Sequence, residues 1–245
     1  MIVDVHSHLT FPDFKKDLNE VIERAKGAGV VSIISSGTSI ESNKEVLELS
    51  KKFQIVKASL GAYPTEVKKS NIDEQLEFIK KNKAKIVAIG EAGLDYKELQ
   101  NKEEQKFCFE KVITLAEKLN KPLVVHSRKA ESDALDLIES SKLKKVIMHC
   151  FTPKMSIVKR AQELGYNFSI PTVITRLEHF QEMVKRIPLN QLLTETDAPF
   201  LSPFRGKRNE PSFIVESLKK MAEIKNMDVK EVENNIYMNY QKLFL

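Results

Sequence analysis

A (β/α)8 barrel, built as one α/β domain over residues 1–245 with an extra C-terminal helix, is the fold this sequence predicts. Three observations predict it. Short apolar runs alternate with amphipathic segments about eight times, the pattern of parallel strands joined by helices. A length of 245 residues suits eight such units, because one-domain α/β barrels commonly use about 250. Four of the five histidines and two acids (His6, His8, Glu91, His126, His149 and Asp197) stand at the C-terminal tips of apolar runs. A closed barrel gathers those tips at one mouth, whereas an open sheet spreads them along a line.

The elements follow in order. Residues 2–8 form a strand whose alternation points His6 and His8 the same way, with Asp4 behind them. Residues 14–28 predict a helix, with Leu18, Val21, Ile22 and Ala25 at helical spacing. A β-branched strand at 30–35 precedes a helix at 39–52, for which Ser39 is the expected N-cap. Strand 55–61, helix 72–82 and strand 86–89 lead into Gly90-Glu91-Ala92-Gly93-Leu94-Asp95. Helix 103–119, strand 123–126, helix 132–140, strand 146–149 and helix 156–164 continue the alternation. Strand 166–170, helix 177–185 and strand 192–196 complete the eightfold pattern, and helices at 212–225 and 229–242 end it.

Composition narrows the function. With 42% hydrophobic and 30% charged residues, the chain has ample material for one large core and no low-complexity tract. No basic region precedes the first apolar stretch, and no run approaches about 18 apolar residues, so neither a signal peptide nor a membrane span is expected. Cys108 and Cys150 are too few for a disulfide framework, which fits a reducing cytoplasm. A net charge of +5 permits a polyanionic partner without requiring one, since the lysines spread over helical segments such as 80–83 and 142–145. No obligate protein partner is evident. No Gly-x-Gly-x-x-Gly follows the first strand, so nothing points to a dinucleotide.

The tip residues carry chemistry. Neutral imidazoles suit divalent transition metals, and two histidines ending a short strand spend polar groups where a core would take valines. Four histidines, a glutamate and an aspartate exceed what one four-coordinate ion takes, whereas two ions sharing a carboxylate would use them all. Such pairs generate hydroxide near neutral pH, and a second carboxylate can take the water's proton. Hydrolysis of a phosphoester or an amide-like bond is the expected reaction. Zinc, manganese, magnesium and cobalt are the ions considered, although so many histidines argue against a magnesium ion caged by protein alone.

Five motifs occur in order: Asp4-Val5-His6-Ser7-His8, Gly90-Glu-Ala-Gly-Leu-Asp95, Val125-His-Ser-Arg128, His149-Cys-Phe151 and Thr196-Asp-Ala-Pro199. Together, and with the terminal Asn239-x-x-x-Leu-Phe244, they resemble the TatD family of metal-dependent deoxyribonucleases, in the amidohydrolase-like superfamily of TIM-like barrels. The resemblance implies a divalent metal pair and phosphodiester hydrolysis on DNA, often from the 3′ end. It makes His6, His8 and Asp197 ligands of one ion and His126 and His149 ligands of the other, with Glu91 bridging. It makes Asp197 the residue that aligns or deprotonates the water, so Asp197 and Glu91 are the catalytic candidates. Glu195, two residues before Asp197, either supports the site or is a buried hydrogen-bonded acid.

The chain departs from the family pattern twice. Tyr63 in Gly61-Ala-Tyr-Pro-Thr65 replaces a histidine common at the mouth, and Pro153 replaces a small residue. A phenol can donate to a phosphate but, with an ordinary pKa of about 10, does not titrate near neutrality. The proline is expected to stiffen its loop. Arg128, Tyr63, Arg205, Lys207 and Arg208 are the candidate substrate contacts, because they fall near strand mouths and arginine binds phosphate bidentately; ion pairs with loop acids are the competing role for the arginines. His179, within a helix, is expected at the surface or in packing.

Two other functions fit the residues less well. An amidohydrolase or esterase acting on a cyclic amide or an aminoacyl ester, such as aminoacyl-tRNA, would share the barrel, but many such enzymes bridge their metals with a carbamylated lysine, and Glu91 occupies that tip here. A scaffold that has lost catalysis would not be expected to keep every ligand.

Overall fold

Eight parallel strands lie side by side in chain order in the computed structural model, which describes residues 1–98 and 101–245. They are β1 (Ile2–Ser7), β2 (Val30–Ser36), β3 (Val56–Ala62), β4 (Ile86–Asp95), β5 (Leu123–Arg128), β6 (Val146–His149), β7 (Asn167–Pro171) and β8 (Leu192–Glu195). The helices between them are α1 (Leu18–Gly27), α2 (Ile40–Lys52), α3 (Ile72–Lys81), α4 (Lys102–Leu119), α5 (Glu131–Glu139), α6 (Met155–Glu163) and α7 (Glu178–Arg186). β8 returns to β1: Thr194 Oγ1 donates to the Val3 carbonyl at 2.8 Å, and the Asp197 amide donates to the His6 carbonyl at 2.9 Å. The sheet is thus drawn round into a nearly closed barrel, the architecture the alternation predicts.

Two helices follow β8. α8 (Ile214–Lys225) takes the eighth outer position, and α9 (Val229–Phe244) is the expected extra helix. Asn239 Nδ2 on α9 donates to the carbonyls of Leu189 and Leu192 at 2.7 and 2.8 Å, and the Tyr240 hydroxyl meets Ser32 Oγ at 2.9 Å. These bonds pin α9 at the N-terminal ends of the strands, leaving the opposite mouth open.

The core is apolar on both sides of the sheet. Ile34, Leu60, Phe109, Phe168 and Phe180 are fully buried within one continuous cluster. A smaller cluster seats α1 through Phe14, Val21, Ile22 and Ala25. Ser39 caps α2 as expected, accepting from the Ser42 amide at 3.3 Å while Ser42 Oγ accepts from the Ser39 amide at 2.9 Å.

The first helix is a correction. Instead of running from residue 14, the chain makes a one-turn 3-10 helix at Pro12–Phe14 and enters α1 only at Leu18. Arg208 holds Asp17 through two bonds of 2.8 and 2.6 Å, a tertiary pair that overrides the local helical pattern. β4 also runs six residues beyond the expected end at 89, so Glu91 lies within a strand rather than after it. β5 likewise continues past His126 to Arg128.

Candidate metal centre

His6 on β1 and His8 immediately after it are oriented from β2. Ser36 Oγ lies 3.1 Å from His6 Nδ1, and the Ser36 carbonyl lies 3.3 Å from His8 Nδ1. A carbonyl only accepts, so His8 carries its proton on Nδ1 and turns Nε2 inward. The two Nε2 atoms are 3.2 Å apart, with both rings buried. The ladder between β1 and β2 shifts register between Asp4 and Ser7, and an irregularity of this kind re-aims side chains at a strand mouth.

Glu91 reaches the same point from β4, and two glycines make that possible. Gly90 has φ +142°, and a Cβ there would meet the Val124 carbonyl oxygen at 2.6 Å. Gly93 has φ +153°, and its Cβ would meet the His126 carbonyl oxygen at 1.9 Å. Only glycine lets β4 press this closely on β5 in that conformation. The β4–β5 register shifts between Ile89 and Ala92, around Glu91 itself.

Glu91 divides its two oxygens between two pairs of histidines. Oε2 lies 3.5 Å from His6 Nε2 and 3.3 Å from His8 Nε2. Oε1 lies 2.7 Å from His126 Nδ1 and 3.6 Å from His149 Nε2. Asp197 closes the His6/His8 side, with Oδ1 at 3.5 and 3.4 Å from the two Nε2 atoms. It sits in the left-handed region at φ 54° and is 14% exposed, so it faces both the cluster and the mouth.

A layer of buried groups holds the cluster. Glu195 Oε2 accepts from His149 Nδ1 at 2.8 Å and from Ser169 Oγ at 2.5 Å, while Oε1 accepts from the Cys150 amide at 3.0 Å. Glu195 is thus a buried, fully hydrogen-bonded acid that also holds the His149 ring. Asp4 accepts from the Thr196 amide at 2.9 Å and hydroxyl at 2.6 Å, which fixes the turn carrying Asp197. Burial pushes the Asp4 carboxyl up to about 7, against those hydrogen bonds.

Two positioning residues were not among the candidates read from the sequence. Asp95 Oδ2 lies 3.2 Å from His126 Nε2, so His126 is held between two carboxylates. Gln105 on α4 clamps Asp95 in turn, accepting from its amide at 2.7 Å and donating to its carbonyl at 2.8 Å. The Asp95 signal was present, since it ends the Gly90–Asp95 motif; nothing in the α4 pattern marks Gln105.

The cluster balances its charges internally. Burial alone would raise the Glu91 carboxyl, but hydrogen bonds from His126, His6 and His8 outweigh it and hold it well below the usual range. Asp197 is lowered in the same way, with burial opposed by His6 and His8. Burial alone would lower the histidines, yet Asp197 and Glu91 raise His6 and His8, and Asp95 and Glu91 raise His126 to about 9. His6, His8 and His126 therefore bind protons that a cation would displace, so metal affinity is expected to fall as pH falls.

The donors present fit divalent metal. Among the described residues, His6, His8 and Asp197 form one set and His6, Glu91 and His149 another, each with ligand atoms within 4.8 Å of one another. His126 belongs to neither set but touches Glu91 directly. All six expected ligands are thus brought together, imidazole nitrogens beside carboxylates, the donor chemistry of zinc, manganese or cobalt.

The centre opens into a cavity of about 580 Å³. Tyr63 and Arg128 line it; Arg205 is exposed on the loop after β8 and lies outside the lining. The Tyr63 hydroxyl is 3.3 Å from His126 Nε2, and burial, with Glu91 and Asp95 nearby, pushes its pKa up. Arg128 Nη1 bonds Glu98 at 3.0 Å. Lys207 is exposed, with its ammonium 5.5 Å above the Phe204 ring. Pro153 is buried one residue after Thr152, which lines the cavity. His179, half-buried on α7, bonds the Phe151 carbonyl at 3.2 Å, the packing role expected of it.

Sequence and fold comparisons agree with this geometry. The family model described as TatD related DNase matches residues 3–245. An uncharacterized metal-dependent hydrolase of Methanocaldococcus jannaschii is 38% identical, covering 99% of this chain and 96% of that protein. Deoxyribonuclease TATDN3 of Homo sapiens is 35% identical over 99% of this chain and 94% of its own. The crystal structure of YJJV, a TatD homolog from Escherichia coli K12, superposes with a TM-score of 0.92 at 28% identity, covering 99% of this chain and 97% of that one.

Proposed function

The chain belongs to the TatD-related DNase family and is a metal-dependent hydrolase, and from that premise we propose that it cleaves phosphodiester bonds of DNA from the 3′ end with two divalent ions. One ion would be held by His6, His8 and Asp197, the other by His126 and His149, with Glu91 between them. The observation that supports this most is the division of Glu91, one oxygen toward each histidine pair. No helix among the described residues is long and apolar enough to cross a membrane. Two free cysteines, Cys108 and Cys150, are consistent with the reducing cytoplasm we propose.

Bound divalent ions supply a polarised phosphoryl oxygen and an acidified water. The protein supplies the rest. Asp197, ionised and open to the cavity, accepts a proton from the attacking water and returns it to the departing 3′ oxygen as the P–O bond breaks, so the proton count closes. Asp95 accepts from the Nε2–H of His126 and so keeps Nδ1 turned toward Glu91. That one N–H is shared with the Tyr63 oxygen, a second acceptor beside it, so the phenol's own proton is free for a phosphate oxygen. Arg128 would exchange Glu98 for phosphate.

The direct test is digestion of 3′- and 5′-end-labelled single- and double-stranded DNA by manganese- or zinc-loaded protein. Stepwise loss of nucleotides from the 3′ end is expected; intact DNA with both ions bound would refute the substrate. Arg128→Ala is expected to raise KM several-fold with little change in kcat, and to reduce the salt slope of binding by about 0.7–1. Arg205→Ala should act in the same direction but more weakly, since Arg205 lies outside the cavity lining. Binding isotherms at several salt concentrations check both.

A further inference from the structure

The cavity over the metal centre has two unlike walls. Tyr63, from the end of β3, and Arg128, from the end of β5, are polar. Across the barrel, the loops after β1 and β8 contribute Phe11, Phe200 and Leu201. Phe11 stacks on the His8 ring, with centroids 4.8 Å apart and planes 27° apart. Phe200 meets Phe11 edge to face at 5.8 Å and 81°, yet remains 51% exposed. Its backbone is held on both sides: the Phe200 amide donates to the Asp197 carbonyl at 2.9 Å, and Asn209 Nδ2 donates to the Phe200 carbonyl at 2.7 Å.

Scattered exposed apolar side chains are ordinary, but this one is not scattered. It is a rigidly mounted aromatic ring, continuous with a second ring that touches a metal-ligand candidate, with much of its surface open in the active-site cavity. The same loop carries Phe204, 40% exposed, packed edge to face on Phe213 and topped by the Lys207 ammonium. Flat aromatic surfaces beside cationic groups are how proteins hold unpaired nucleic acid without reading its sequence.

We infer that Phe200, backed by Phe11, is a stacking platform for the nucleobase of the nucleotide whose phosphate lies at the metal centre. This rests on the DNA reading above and deepens it. The two walls match the two sides of a nucleotide: the phosphate faces the cluster with Tyr63 and Arg128, and the base lies against the aromatic wall. A volume of about 580 Å³ falls within the range of small-ligand pockets, about 300–1,000 Å³, and suits one terminal nucleotide. The platform is indifferent to base identity, because every base has a π face.

The test uses metal-loaded protein and oligonucleotides ending in 2-aminopurine, in a natural base or in an abasic residue. Wild type and Phe200→Trp are expected to quench terminal 2-aminopurine on binding, read by stopped flow within the first turnover; Phe200→Ala is expected not to. Binding of natural ends should weaken about 5- to 150-fold in Phe200→Ala, the value of one base–aromatic stack, while binding of abasic ends stays unchanged. Thermal melting checks that the exposed substitution leaves the fold intact. Equal weakening on natural and abasic ends, or no weakening on either, overturns the inference. Absence of cleavage on every oligonucleotide would instead refute the hydrolase substrate, and the fluorescence would still decide whether a base stacks on Phe200.

Discussion

Glu91→Ala is expected to lower the metal content from two ions per chain to at most one and to reduce DNA cleavage by at least about 10³-fold, since losing metal-based charge stabilisation costs several kcal/mol. The reason is electrostatic as well as coordinative. Among the described residues, Glu91 is the only group in contact with all four histidines of the cluster. Two dications facing each other repel four times as strongly as a unit pair, and no other carboxylate of the cluster stands between both histidine pairs. Alanine leaves room but no charge. Metal analysis after desalting, beside cleavage of an end-labelled oligonucleotide, checks the pair of effects. A variant that kept two ions and near-normal turnover would show that Glu91 does not bridge.

Asp197→Asn is expected to separate chemistry from binding. Position 197 has φ 54°, a conformation asparagine tolerates well, so the turn between β8 and its loop should survive. The amide still offers a neutral oxygen to a metal but cannot accept the proton of water. Loss of a general base typically costs about 10²–10⁴ in rate, so single-turnover cleavage at saturating metal should fall by that factor. DNA affinity should change only a few-fold, because Tyr63 and Arg128 lie on the other side of the cavity. Cleavage within a few-fold of wild type would remove Asp197 from the proton-transfer step.

Much of this was legible in the residues because strand tips leave a local signature. His126 and His149 follow short apolar runs that read as buried strands, and the closure of the barrel brings those tips together. What was not legible depends on contacts between distant segments. The late start of α1 reflects an Arg208–Asp17 pair 191 residues apart in sequence, which no local pattern encodes. Glu91 was expected just past the end of strand 86–89, whereas in the fold the glycines at 90 and 93 permit close packing of two strands and β4 runs on through it. The clamp of Gln105 on Asp95 joins a helix to a strand end through a neutral side chain with no distinguishing periodicity. The aromatic wall was equally hidden, since Phe11 and Phe200 meet only because β1 and β8 are neighbours.

The central claim is that one carboxylate joins two cation sites. Anomalous diffraction from crystals of the manganese- or zinc-loaded protein, collected at the metal edge, tests it most directly. Two peaks are expected, one among His6, His8 and Asp197 and one beside His126 and His149, each touching a different oxygen of Glu91. A single peak, or two peaks with Glu91 bound to only one of them, would contradict the account.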